Sequence, residues 1–247
     1  MASKCLNCNE ETIGKFCSNC SQSTSIHRFS LAHVFKHDFI HGIFHFDKGF
    51  FYTLKELFIR PGDSIREYIE GKRIKHFNYF AMLLLLLTIS YFLKKWSHLD
   101  ITKLVDDKKQ ITGFLKVTKD YSKFVIFLHI PIVALASFFL FKKSKQNYTE
   151  NLIINLFLQC GLICISSILY LSAIFTDNIQ ILGFLCDFFL SLGVIAYITI
   201  FYYQYYKALG YNKWFLLVRA FIFAMLYIVI KSQTNRLVNF IGLTFFN

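Results

Sequence analysis

Five long apolar runs follow Phe77, and they constrain this chain more than any other feature. The first, Asn78 to Leu93, holds an unbroken Leu83 to Leu87 core between Lys75-His76 and Lys94-Lys95. In hydrocarbon, where water cannot satisfy backbone N–H and C=O groups, only helices and closed barrels span. The runs lack the alternation of membrane barrel strands, and the chain holds only two prolines and eleven glycines, so the spans read as helices. A composition of 55% hydrophobic and 19% aromatic residues exceeds what a soluble core uses. The predicted fold is an all-α membrane protein of about five transmembrane helices, preceded by a small N-terminal four-cysteine module and interfacial amphipathic helices.

Hydropathy places the spans near 77–96, 123–141, 152–175, 179–206 and 213–231 within a membrane domain over 77–247. The first is short, with Phe77 and Trp96 extending it into the interfaces. Pro131 should kink the second. Only Thr176, Asp177 and Asn178 separate the third from the fourth, which predicts a tight external hairpin. The apolar tail Leu237 to Phe246 is too short to span independently. Residues 1–25 are polar, with no apolar signal stretch, so the N-terminus is expected in the cytoplasm. Lys142, Lys143, Lys145 and the Lys207 to Lys213 loop then fall inside, as the positive-inside rule requires, although the Ser97 to Ser122 loop carries several lysines on the other side.

The cysteine pattern is the strongest local motif. Cys5-x-x-Cys8, then Cys17-x-x-Cys20 eight residues on, brings four sulfurs toward one tetrahedral shell within a ribbon over residues 1–24, with Gly14 at the turn between the pairs. Zn2+ is the expected ion; iron or a redox pair is the alternative. Four protein ligands leave no open coordination position, so such a site is structural. Cys160, Cys164 and Cys186 lie in apolar runs and read as small hydrophobes.

Between ribbon and membrane, residues 25–76 carry helical periodicity. Leu31, Val34, Phe35, Phe39, Ile43 and Phe44 predict an amphipathic helix capped by Ser30; shorter pieces follow at Thr53 to Phe58 and Ser64 to Glu70, with Asp63 as a cap and Gly71 as a stop. These helices are expected on the inner leaflet surface. His33, His37, His41 and His45 recur every four residues, either as a metal or pH-sensitive stripe or as amphipathic rings lining the head-group boundary.

Arg66, Lys72, Arg73 and Lys75 form a basic collar at the membrane entry. Its expected roles are topological anchoring and attraction of anionic lipid head groups. The formal charge of +12 is thereby explained without nucleic acid, which is a disfavoured partner. Inside the spans, His129, Asp187 and Arg219 make a candidate intramembrane polar site. Such residues mark a pathway or a pair by default. The competing readings are snorkelling by Arg219, protonation or interhelical bonding of Asp187, and capture of His129 by a carbonyl freed at the Pro131 kink.

Cys20-Ser21-Gln22, His45-x-Asp47-Lys48-Gly49, Thr53-Leu54, Arg60-Pro61-Gly62 and Ile65-Arg66-x-Tyr68-Ile69-x-Gly71-Lys72-Arg73 stand in this order before the first span. In that order the chain resembles an uncharacterised bacterial inner-membrane family, a domain of unknown function with a zinc-ribbon start, over residues 5 to 85. Two positions depart from the family pattern: Ser21 stands where Gly usually follows the last cysteine, and Tyr79 where a proline commonly opens the first span. The resemblance implies a polytopic membrane protein and supplies no catalytic residue.

The sequence holds no phosphate loop, no His-Glu-x-x-His, no Gly-x-Ser-x-Gly and no dinucleotide turn, so an enzyme has no positive witness. The leading expectation is a non-enzymatic scaffold or regulator engaging a partner protein through the ribbon. A small transporter or channel built on the intramembrane polar residues is the alternative, and a lipid-modifying enzyme ranks third.

Overall fold

In a computed structural model, residues 3–31, 49–97, 113–176 and 178–245 are described. The His33, His37, His41 and His45 stripe and the helix expected around it lie outside the described residues, as do the side chains of 113–124 and of Cys186 and Asp187.

Two minimal strands, β1 (Ser3–Lys4) and β2 (Glu11–Thr12), pair antiparallel at the N-terminus, Ser3 opposite Thr12. Helices α1 (Gly49–Ile59) and α2 (Pro61–Ile69) follow, joined at Arg60. Both are longer than the expected pieces, because Pro61 serves as the opening residue of α2, where its missing N–H costs nothing, and Asp63 lies in the first turn rather than at the cap. Six more α-helices follow among the described residues: α3 (Tyr79–Trp96), α4 (Gly113–Leu140), α5 (Tyr148–Phe175), α6 (Ile179–Asp187) and α7 (Val194–Tyr206), which form one run, and α8 (Lys213–Phe245).

Asparagine opens three of these helices for one reason: its side chain accepts from amides that a first turn leaves unpaired. Asn78 Oδ1 accepts from the N–H of Phe80 (2.9 Å) and Ala81 (3.2 Å). Asn147 and Glu150 form a reciprocal capping box, and Asn178 caps Gln180 and Ile181. Tyr79 is thereby the first residue inside α3, the position that suits proline in the family pattern.

Three helices are long and apolar enough to cross a membrane: Tyr79–Trp96, Tyr148–Phe175 and Lys213–Val238. The stretch expected as the second span belongs to a 28-residue helix, whose described apolar part, Val125–Leu140, is shorter than these three. It begins at Gly113, inside the stretch expected to be a polar loop. The expected fourth span is one helical course interrupted by a π-helical segment, Phe188–Gly193. The apolar tail after Leu237 continues α8 without a break.

α5 is the central element. It packs against α3, α4 and α7, while α8 packs on α4 and α7, and most of α5 is enclosed whereas α3 and α8 expose most of their length. α1 and α2 share this core: Leu57, Ile65, Met82, Phe157 and Ile198 belong to one buried cluster. Only one face of α1 stays open, where Phe51, Phe58 and Ile59 are exposed.

Candidate metal centre and the platform beneath it

The two cysteine pairs form matching knuckles. The Cys5 N–H donates to Glu10 O (2.8 Å) and Cys5 O accepts from Asn9 N–H (2.9 Å); Cys17 N–H donates to Gln22 O (2.9 Å) and Cys17 O accepts from Ser21 N–H (2.9 Å). Such tight turns need a left-handed residue after the second cysteine, and Asn9 and Ser21 have φ of 63° and 60°. The four sulfurs all lie within 4.8 Å of one another, with Cys5 Sγ to Cys20 Sγ at 3.6 Å and Cys8 Sγ to Cys17 Sγ at 3.5 Å. A tetrahedral shell with metal–sulfur bonds of about 2.3 Å places sulfurs about 3.8 Å apart, so these residues fit a metal ion. All four are free thiols. Although the backbone hydrogen bond at Glu10 pulls the Cys8 thiol down, burial and the three neighbouring thiols push it up to about 12. A bound divalent cation would reverse that balance, because it stabilises thiolates.

Ser21 explains why glycine is usual at this position. A left-handed backbone costs an ordinary L-residue roughly 1 kcal/mol or more, and glycine nothing. Ser21→Gly is therefore expected to stabilise the knuckle by about 1 kcal/mol. The readout is the chelator concentration needed to extract metal, which should rise; an unchanged value would show that the serine carries no strain.

The knuckle is not on a loose tether. Gln22 is buried and bonds three groups of the segment after α2: its Nε2 donates to Gly71 O (2.9 Å), and its Oε1 accepts from Arg73 N–H (2.9 Å) and Ile74 N–H (3.2 Å). Gly71 has φ +113°, and a Cβ there would lie 2.7 Å from Leu6 Cδ1 in the first knuckle. Downstream, the Arg73 guanidinium lies 3.8 Å over the Phe29 ring, and Phe29 stacks on Tyr68 at 5.9 Å. Arg28 Nε donates to Glu150 Oε1 (2.6 Å) and its Nη2 to Lys145 O (2.7 Å), and Asn147 Nδ2 donates to Phe29 O (2.9 Å). Residues 22–29 thus strap the knuckle to the α2–α3 and α4–α5 connections together.

His76 locks the base of this platform. Its Nδ1 donates to Lys72 O (3.0 Å), so its Nε2 accepts from Ser64 Oγ (2.8 Å) in the neutral ring, while Tyr52 and Tyr68 pack edge-on. Burial pushes the imidazole below its ordinary 6.5. The unfolded chain therefore takes up a proton first as pH falls, and the stabilisation is complete above about pH 6.5 and lost as pH drops through the lowered folded value. Stability between about pH 8 and pH 5 should fall on the acid side, and His76→Gln should flatten that slope. An identical slope in the variant would remove His76 as its source.

The basic collar is largely committed to protein partners. Arg66 pairs with Asp63 (3.3 Å) and Glu70 (3.2 Å), Lys72 with Glu67 (3.8 Å), and Arg73 lies on Phe29, leaving Lys75 exposed.

Of the intramembrane candidates, His129 and Arg219 lie apart. Arg219 Nη1 donates to Leu140 O (3.3 Å) at the α4 terminus, eleven residues along α4 from His129, or ~16 Å. His129 is buried against the edge of Tyr227, at 4.8 Å between ring centroids. Neither of its ring nitrogens has a hydrogen-bond partner among the described residues, so capture by a carbonyl at the Pro131 kink is not found there. The Asp187 backbone ends α6, where the π-helical segment begins.

A polar ladder that the sequence reading passed over runs up α5 instead. Asn147, Asn151, Asn155 and Gln159 recur every four residues, the spacing that puts side chains on one helical stripe. Ser137 Oγ donates to Asn151 Oδ1 (3.1 Å), Asn155 Nδ2 donates to Ser137 Oγ (3.0 Å), Tyr202 OH donates to Asn155 Oδ1 (2.9 Å) and Tyr227 OH donates to Gln159 Oε1 (2.9 Å). These bonds join α4, α5, α7 and α8 where lipid offers no alternative partner, each contributing about 0.6 kcal/mol.

Fold and site together define a helical membrane protein with a four-cysteine candidate metal knuckle strapped to one end of its bundle. The family model described as "Protein of unknown function (DUF3667)" matches residues 47–91, from Asp47 before α1 into α3. No curated protein and no solved structure matches the chain.

Proposed function

We propose that the chain is a non-enzymatic scaffold or regulator of the bacterial inner membrane, with its N-terminus in the cytoplasm and a structural Zn2+ in the Cys5, Cys8, Cys17 and Cys20 knuckle. In this reading the zinc fixes the knuckle, and the strapped knuckle presents a rigid surface to a partner protein. The observation that carries it is the turn between the two cysteine pairs: Ile13 is 97% exposed and Phe16 66%, although the knuckle beneath them is held by Gln22. Apolar side chains on a rigid, water-facing turn have no role in this chain's own core, and an aromatic anchor of this kind suits burial in a partner.

The test is affinity recovery from gently solubilised membranes. Wild-type protein should carry a stoichiometric partner that is lost from Ile13→Asp/Phe16→Asp, a variant that leaves the metal ligands and Gln22 in place, and lost again from Cys17→Ser. Recovery of bare protein in every case would refute the reading. The transport alternative has one observation in its favour, the unbonded buried ring of His129. Proton or ion flux in proteoliposomes that disappears in His129→Ala would favour it over a scaffold.

A further inference from the structure

Lys143 and Arg219 reach one aromatic ring from two segments. Lys143 Nζ lies 5.4 Å and Arg219 Cζ 5.5 Å from the centroid of Tyr211. Lys143 follows α4, Tyr211 precedes α8, and Arg219 lies on the second turn of α8. Backbone carbonyls fix all three: Lys143 Nζ donates to Gly210 O (2.8 Å), Arg219 Nη1 to Leu140 O (3.3 Å) and Tyr211 OH to Phe141 O (2.9 Å).

Two cations around one ring repel each other, and among the described residues no carboxylate lies within ion-pair distance of either. Two other cations of the described residues are neutralised: Arg28 has Glu150, and Lys207 has Asp63 at 2.7 Å. An arginine fork and a lysine point charge held at one ring with no carboxylate to neutralise them carry the charge that suits a phosphate group.

Location decides which phosphate. Trp214 and Phe215, in the first turn of α8, are 78% and 75% exposed, and exposed aromatics at the end of an apolar helix sit at the level of lipid head groups. Val218, Phe221 and Ile222 continue the outward face, where acyl chains would lie. We propose that Lys143 and Arg219, over Tyr211, bind the phosphate of an anionic phospholipid in the leaflet bordering this end of the bundle. The site is distinct from the collar, whose Arg66, Lys72 and Arg73 already have protein partners. The proposal rests on the membrane-spanning reading.

Full-length protein in uncharged detergent, offered phosphatidylglycerol, phosphatidylcholine or inorganic phosphate, tests it by native mass spectrometry and thermal midpoint. Phosphatidylglycerol should be retained in preference and raise the midpoint more than phosphatidylcholine. Lys143→Gln/Arg219→Gln should weaken its apparent affinity about thirtyfold, with Lys75→Gln unchanged. Should the double variant not fold, Lys143→Gln alone should weaken binding about fivefold while Arg219→Lys retains most of it. Equal retention of the two lipids, or an unaltered preference in the variants, would overturn the site. Inorganic phosphate matching phosphatidylglycerol would overturn its lipid source. A chain that stays monodisperse without detergent refutes membrane insertion itself; a chain that needs detergent yet shows no lipid preference refutes this site alone.

Discussion

Gly62→Ala is expected to cost about 3 kcal/mol or more, at the top of the range for overpacking, and to leave little folded protein in detergent extracts. A Cβ at this position would lie 2.1 Å from Phe201 O, 2.5 Å from Tyr205 N and 2.7 Å from Gln204 Cβ. The first two are backbone atoms of α7, so no rotamer change can make room. The Gly62 N–H also donates to Gln204 Oε1 (3.1 Å), and any outward shift of α2 would withdraw the buried Ile65 and Tyr68 from the core. Two comparisons isolate the cause. At Gly183 an added Cβ meets nothing within 4 Å, so Gly183→Ala should gain slightly from helix propensity. At Gly161 it meets the Tyr197 hydroxyl, the end of a flexible side chain, and the cost should be nearer 1–2 kcal/mol, mostly the lost hydrogen bond to Leu57 O. Thermal unfolding followed by circular dichroism reads all three. A Gly62→Ala midpoint within a degree or two of wild type would show that α2 is not seated on α7.

That contact also shows what the sequence can and cannot disclose. Arg60-Pro61-Gly62 reads locally as a turn, and Pro61 and Arg60 behave accordingly, but the need for glycine comes from α7, far along the chain, and no local pattern carries it. Ser21 is the opposite case: the resemblance marks it as a departure from glycine, and the knuckle's own geometry, with φ of 60° at this residue, supplies the reason. The cysteine spacing was sufficient to place four sulfurs together, because each knuckle closes within its own few residues. Helix bounds differ from the apolar runs where hydropathy is silent. The first turns of α4 are polar enough to resemble a loop, and the π-helical interruption at Phe188 has no compositional mark. The ladder from Asn147 to Gln159 is legible as a four-residue repeat, yet its residues lack the charge that marks Asp187 and Arg219 in an apolar run. Gln22 had no signal beyond its place in the Cys20-Ser21-Gln22 motif; its importance lies in the carbonyl and amides that await it after α2.

Removing the metal should release the N-terminal module while leaving the helical bundle folded. The module has almost no core of its own: among its described residues Cys5, Cys17, Thr12, Gln22 and Phe29 are buried, two of them ligands and two others belonging to the strap. On the proposed reading a closed metal shell would supply most of its folding free energy, which for structural zinc is on the order of 10 kcal/mol. The knuckle bond from Cys17 N–H positions the Gln22 carbonyl, so its collapse unseats the side chain that bonds Gly71, Arg73 and Ile74. Met82, Phe157 and Ile198 are buried between helices and do not depend on it. Wild-type protein should hold one zinc per chain and resist trypsin at Lys15 and Arg28. Cys17→Ser, or exhaustive chelation, should bring the metal content near zero and open both sites to cleavage with helical content nearly unchanged. Gln22→Ala separates the two links of this argument: it should keep its metal and still become cleavable at Arg28, through loss of three hydrogen bonds of about 1 kcal/mol each. Continued resistance at Arg28 in metal-free protein would mean that the strap holds by Arg28, Phe29 and Asn147 alone, and that the metal does not govern the platform.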